Sequence, residues 1–374
     1  MTAMEDMSAI VVEQANRLFQ QHVNKTVLAE ADGGKWPAPL WTALEDAGLP
    51  LALVPEAAGG VGLAAGVTAQ LIRRAAFYSV PLPLAETMIA NRLWVDSGAD
   101  VTEGTVTLAP VNPLDRLTVT PNAGGMLLDG TAHHVPWGTQ ATLVLVFARD
   151  AKGMGFLCRT PPASARPNKT RRNVAYEPRD EMHFDRVPLS ASDVRPAPDY
   201  LQADGLMAFG AAIRVLQMIG GMERCMDYAL SYANERVQFG RPIGKFQAVQ
   251  HMLAVAAGHF AAASATADAL SESERLGDDG FAVAIAKARC GEAAGQVAAV
   301  CHQVHGAMGF TQEHPLHFAT RRLWAWRDEW GAESWWQEKL GRMICAEGGD
   351  GFWPLIADPK SAAGAAQAAD GGLR

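Results

Sequence analysis

With 374 residues, 49% of them apolar and 19% charged, the chain is long enough for two or three domains with their own cores and too apolar to be disordered. Its formal charge of -8 excludes a broad basic face, so no nucleic-acid partner is expected and any anionic ligand must be met by local cations. The cysteines (Cys158, Cys225, Cys290, Cys301, Cys345) are scattered and odd in number, without a CxxC pair, which fits free thiols in a reducing cytosol and argues against a zinc site.

Met1 to Met7 carries acidic residues ahead of any apolar run, unlike a secretory signal or an Arg-rich transit peptide. No apolar run is read as spanning a bilayer, so a cytoplasmic chain with no membrane partner is expected. Residues 1–105 alternate apolar clusters at helical spacing with Gly/Pro punctuation, as in Trp41 to Leu49 before Pro55 and the Gly59-Gly60-Val61-Gly62 turn, and predict a helical domain. From 106 to 198 short apolar runs predict strands: Thr105 to Leu108, Met126 to Leu128 entering a turn at Asp129-Gly130, Ala141 to Phe147, and Arg186 to Leu189. Long helices are predicted again over 205–236, 244–275 and 279–307, with shorter ones to about 346. Short connections between long helices imply a bundle over 199–358, and the small-residue stretch from Ala362 to Asp370 implies a tail over 359–374. The expected class is α+β, mostly α: an N-terminal helical domain, a small β-barrel or sandwich, and a C-terminal four-helix bundle.

The most informative stretch runs from Tyr232 to His251. An apolar helix ends at the basic Arg236, the turn Phe239-Gly240-Arg241-Pro242 reverses the chain, and a second helix opens with Phe246, Gln247 and Gln250. Such a corner can hold an anionic, aromatic ligand. The stretch resembles the flavin-binding motif of the acyl-CoA dehydrogenase family. A second family-like motif runs from Gln303 through His305-Gly306-Ala307 to Gly309-Phe310 and Leu316, followed by Arg321-Arg322. Two such motifs in the right order are more specific than either alone, and the helix, sheet, bundle order matches that family's layout.

The resemblance implies FAD as cofactor and an acyl-CoA substrate, with an electron acceptor such as electron-transfer flavoprotein. Arg236 would reach the FAD diphosphate of a neighbouring subunit, where a guanidinium fork matches phosphate oxygens. Gln238, Phe239, Phe246 and Gln247 would lie near the adenosine. The segment Gln303, Val304, His305, Gly306, Ala307 would cradle FAD with backbone amides, Ala307 standing where the family usually has a second glycine. Cys301, His302 and His305 have no carboxylates at ligand spacing and are read as helix packing, so no metal is expected. Tryptophans 324, 326, 330, 335 and 336 are read as packing at an interface.

The family's chemistry needs a carboxylate to take an α-proton while hydride passes to the flavin. Counting on from Gly309-Phe310, the usual base position falls on Trp330, between Glu329 and Glu333. A one-residue shift makes Glu329 the candidate catalytic base. The base position of a second branch of the family falls on Phe209, Gly210 and Ala211, which accept no proton, and the nearest cation there is Arg214. In the β domain the family's Thr-Glu-Pro loop is replaced by Leu108 to Pro113, and its Trp-Ile-Thr by His134-Val135-Pro136, where Pro136 has no N–H.

The resemblance therefore implies a chain that keeps the half of a FAD site given to a neighbour and lacks the half facing its own flavin and substrate. The expected assembly is a hetero-oligomer with a related, base-bearing subunit, similar to the family's α2β2 type acting on steroid side-chain thioesters. The alternatives are a self-sufficient homotetramer using Glu329 or Glu333, and a non-enzymatic binding or scaffold protein on the same fold.

Overall fold

The computed structural model describes residues 3–357 apart from residue 204; the tail expected from 359 onward lies outside the described residues. Five helices come first: α1 (Ala3–His22), α2 (Lys25–Asp32), α3 (Ala38–Asp46), α4 (Ala65–Phe77) and α5 (Leu84–Asp96). Asn24 starts α2 because its side-chain oxygen accepts the Val27 N–H, one of the donors a helix start leaves free. α5 is buried on every side from Leu84 to Trp94, Glu86 and Asn91 included, because it lies where the helices meet the sheet.

The middle of the chain forms one sheet: β1 (Val106–Ala109), β2 (Leu117–Asn122), β3 (Gly125–Pro136), β4 (Leu143–Arg149), β5 (Gly155–Thr160), β6 (Arg166–Lys169), β7 (Arg179–Ser190) and β8 (Val194–Pro196). Its order is β6-β7-β3-β2-β4-β5-β8, with β1 parallel to β4. In β2, Leu117 and Val119 point inward and Thr118 and Thr120 outward. The turn expected at Asp129-Gly130 is displaced. β3 runs straight through these residues with a bulge against β7, where Asp129 accepts the Arg186 N–H, and the hairpin reverses at Ala123-Gly124 between paired Asn122 and Gly125.

The bundle comprises α6 (Met207–Glu235), α7 (Gln247–Leu270), α8 (Gly280–His305), α9 (Leu316–Asp328) and α10 (Glu333–Ala357), with a short hairpin of β9 (Val237–Gln238) and β10 (Arg241–Pro242) between α6 and α7. α4 crosses α6 at backbone distance, since a Cβ on Gly220 would stand 2.0 Å from the Arg73 carbonyl oxygen. The helical parts do not keep separate cores, as the domain reading expected. Phe19, Leu44 and Leu71 from the first part and Phe209, Leu216 and Trp336 from the last belong to one continuous core. The sheet has its own smaller core around Val119, Leu128, Val146 and Phe184.

Three of the tryptophans expected at an interface, Trp326, Trp330 and Trp336, are instead buried within the chain itself. Lys287 on α8 is fully buried and its Nζ donates to the carbonyls of Arg327 (2.7 Å) and Gly331 (2.6 Å), capping the end of α9. Burial pulls its ammonium down to about 8, although Glu333 and Glu329 oppose the shift. α7 is long and apolar enough to cross a membrane by length and composition only, with a mean hydropathy of 1.2 in an 18-residue window.

Candidate functional site

The corner around Arg236 is built by the end of α6. Arg236 leaves the helix in an extended conformation, its N–H still bonded to Tyr232 and its carbonyl accepting the Ile243 N–H, so the hairpin folds back onto the helix end. Gln238 pairs with Arg241, and the two residues between them, Phe239 and Gly240, have φ of 51° and 80°. A two-residue hairpin turn of this hand requires positive φ at both central positions. Glycine adopts it freely, whereas phenylalanine is strained there. That strained Phe239 ring is 93% exposed, 6.2 Å from Phe246, and the Arg241 guanidinium stacks 4.4 Å over Phe246.

The second predicted motif lies beside the first because Tyr232 on α6 stacks on His305 of α8 at 4.7 Å. Val304 and His305 turn their side chains into the bundle, which leaves only their backbone for the cradle that the resemblance implies. His305 Nδ1 donates to the Cys301 carbonyl at 2.7 Å and its ring also meets His314 at 4.5 Å. Burial lowers the pKa of His305, so the ring is held neutral. The backbone then turns outward at Gly306, φ 57°, with open space where a Cβ would stand, and Ala307 is exposed. Arg236, Gln247 and Gln303 are exposed, and among the described residues their side chains have no hydrogen bond or ion pair. A free guanidinium, two free amides, an exposed ring and an open glycine turn form a donor set that fits the diphosphate and adenosine of FAD.

Glu329 stands in different surroundings. One carboxylate oxygen accepts from Arg179 Nε (2.7 Å) and Asn173 (3.0 Å), and the other from Arg179 Nη2 (3.0 Å) and Arg214 Nε (2.7 Å). Arg214 continues to Glu86 at 2.8 Å, and Arg179 to Glu177, which also receives Arg322 at 3.0 Å. The result is an alternating chain, Glu86, Arg214, Glu329, Arg179, Glu177, Arg322, its side chains at most 9% exposed, joining α5, the sheet and the bundle. Burial alone would raise the Glu329 pKa, but Arg179 and Arg214 overcome it and hold the carboxyl at about 2. A base of that acidity, with both oxygens committed, removes no α-proton, so Glu329 is a structural counter-ion rather than the base expected from the sequence. Glu333 is likewise bound, accepting from Arg327 at 2.7 Å.

The two empty base positions meet in space. Trp330, at φ 58° and fully buried, lays its ring on Gly210, where a Cβ would come within 2.0 Å of the indole. The indole closes the space between α6 and the turn leading to α10. On the sheet side His134 has φ 60° and Pro136 offers only its carbonyl, which accepts from Thr107. These residues do not fit the flavin-facing half of a FAD site: Glu329 and Glu333 are ion-paired, and the Trp330 indole fills the space beside Gly210. A cleft of about 600 Å³ remains open further out, between the 110–118 loop and α10, with Arg149 and Trp335 in its walls.

Sequence reasoning missed the ion chain, although two signals were visible: Arg214 inside the apolar run Ala211 to Ile219, and Glu86 inside Pro81 to Ala90. A charge within an apolar helix face calls for a buried partner.

Residues 202–327 match the family model described as acyl-CoA dehydrogenase, C-terminal domain. The chain is 29% identical over 286 residues to acyl-CoA dehydrogenase IpdE2 of Mycobacterium tuberculosis, covering 76% of this chain and 79% of the relative. Among solved structures it is similar to a variant of the Tcur3481-Tcur3483 steroid ACAD, with a TM-score of 0.82, 24% identity and coverage of 92% of this chain and 99% of the other. It is also similar to the ChsE4-ChsE5 complex from Mycobacterium tuberculosis, with a TM-score of 0.81, 20% identity and coverage of 92% and 98%. These likenesses carry the fold.

Proposed function

Because the chain belongs to the acyl-CoA dehydrogenase family, we propose that it works as the FAD-completing subunit of a hetero-oligomer that dehydrogenates an acyl-CoA thioester at the α,β carbons. The observation that carries this reading is the contrast between the uncommitted side chains of Arg236, Gln247 and Gln303 and the closed space around Trp330. Arg236 of this chain binds the diphosphate of a flavin whose ring is walled by a related subunit, and Gln247 and Gln303 orient its adenosine side. Bound FAD supplies the hydride acceptor. The related subunit supplies the base and the acyl pocket, because here Trp330 fills the equivalent position and Glu329 and Glu333 are ion-paired. A fatty or steroid side-chain thioester is the substrate class, by analogy with the similar structures, and electron-transfer flavoprotein is the class of acceptor.

The test is the visible spectrum of the co-purified complex. Arg236→Ala is expected to lower flavin content at least tenfold while leaving the melting temperature of the chain unchanged. Flavin content equal to wild type overturns the reading. The self-sufficient homotetramer would instead give a yellow chain when purified alone, bleached by acyl-CoA. Glu329 and Glu333, the bases it needs, are both ion-paired.

A further inference from the structure

A cavity of about 180 Å³ lies where the turn before α2, the end of α4, α6 and the start of α9 meet. Leu28, Phe77 and Phe318 give it an apolar floor, whereas Lys25 and Arg224 bring two cations to its wall and no carboxylate lines it. In a chain with a net charge of -8 that is a local reversal of sign. The N-terminal ends of α2 and α9 also open on the cavity, at Asn24 and Pro315, and add the positive ends of two helix dipoles.

Ser79 supplies a second and independent sign of a ligand. It follows α4 with φ 57°, its N–H bonded to the Ala76 carbonyl and the Val80 N–H to that of Ala75, both at 2.9 Å. Helices stopped in this way usually carry glycine at the left-handed position, and a serine there is strained. Its side chain lines the cavity on a residue only 4% exposed, and among the described residues the hydroxyl has no hydrogen-bond partner. Glycine would end α4 without strain but would bring no hydroxyl, so the strain is explained by what the cavity holds. Arg224 is held in place over the rings of Phe77 (4.7 Å) and Tyr228 (4.1 Å), with Nη1 on Asp227 at 2.8 Å, and keeps further donors of its fork. Lys25 Nζ donates to the Glu313 carbonyl at 3.0 Å and likewise has donors to spare.

We propose that this cavity binds a small organic carboxylate, a ring or short chain bearing one carboxylate group. Leu28, Phe77 and Phe318 cover its body, and Ser79, Arg224 and Lys25 receive its oxygens. A cavity of about 150 Å³ already holds benzene, so the volume suits a body of that size. A neutral body would leave the cations unused, and inorganic phosphate would leave the apolar floor uncovered. The site lies apart from the Arg236 corner and stands whether or not that corner binds FAD.

The test uses the full chain, with any co-purified partner, titrated calorimetrically with sodium benzoate and sodium hexanoate. Saturable binding of at least one of them is expected, with a dissociation constant of about 1 mM or lower. Benzamide and sodium phosphate, which each match half of the site, are expected to bind at least about tenfold more weakly. Ser79→Gly should melt no lower than wild type, since glycine relieves the strain, and bind the carboxylate about fivefold more weakly for want of the hydroxyl. A loss of affinity in a variant that keeps its stability is not misfolding. Arg224→Gln should weaken binding about tenfold. The proposal is overturned if neither carboxylate binds, if benzamide or phosphate binds as tightly, or if either variant binds as wild type does. Because flavin content is not the readout, failure here and failure of the FAD reading are distinguishable.

Discussion

The Arg236 corner and the Glu329 junction lie in the same helical bundle and both are rich in charge, yet they dispose of it in opposite ways. At the corner, a guanidinium and two amides are exposed and uncommitted, beside an aromatic ring held outward on a strained turn. At the junction, three guanidiniums and three carboxylates are buried and each is paired with another. Groups left unpaired in water are available to a ligand, while groups paired inside a protein are already spent on holding it together. The contrast assigns binding to the first region and architecture to the second, although the sequence placed its candidate base in the second.

The contrast breaks most sharply at Glu329. Glu329→Gln leaves Arg179 and Arg214 buried beside a neutral amide and is expected to destabilise the chain by about 3–5 kcal/mol, read from denaturant unfolding. An unchanged midpoint would mean that the ion chain holds nothing. Next comes the indole contact: Gly210→Ala drives a methyl into Trp330 and is expected to cost about 1–3 kcal/mol in the same assay.

A smaller and graded effect follows from pH. The Glu329 carboxyl titrates near 2 in the folded chain and at its ordinary, higher value when unfolded, so the unfolded state takes up the proton first. The stability it contributes is complete above about 4.5 and is lost as pH falls towards 2. A stability-against-pH profile of Glu329→Gln should therefore be flatter than wild type across that window. The smallest effect is expected at the open corner, where Phe239→Ser should change stability by no more than about 0.5 kcal/mol, since its ring buries almost nothing in the chain.

How much of this was legible in the sequence follows from how each feature is encoded. The helix, sheet, helix order showed in local periodicity, and the corner showed because Arg236, Gly240, Pro242 and Gln247 fall within one continuous stretch. The turn in β3 was misplaced because Asp129-Gly130 has turn chemistry, and only pairing with β7 decides that it forms a bulge. The ion chain was illegible for a stronger reason. Its members come from α5, the β6–β7 connection, β7, α6, α9 and the residue after α9, and no local pattern couples Glu86 to Arg214 or Glu177 to Arg322. The role of Glu329 is set by which guanidiniums surround it, which is a property of the tertiary arrangement alone.

The buried Lys287 has an experimental use. Its amine is enclosed by α8 and the α9 terminus, so an amine-directed reagent reaches it only when those helices separate. Burial holds its pKa near 8, and once uncovered the amine returns to its ordinary, higher value and reacts as an exposed lysine does. Its rate of labelling, followed by peptide mass mapping, is then a clock for the opening of the whole bundle, against which faster exposure of any surface lysine can be timed.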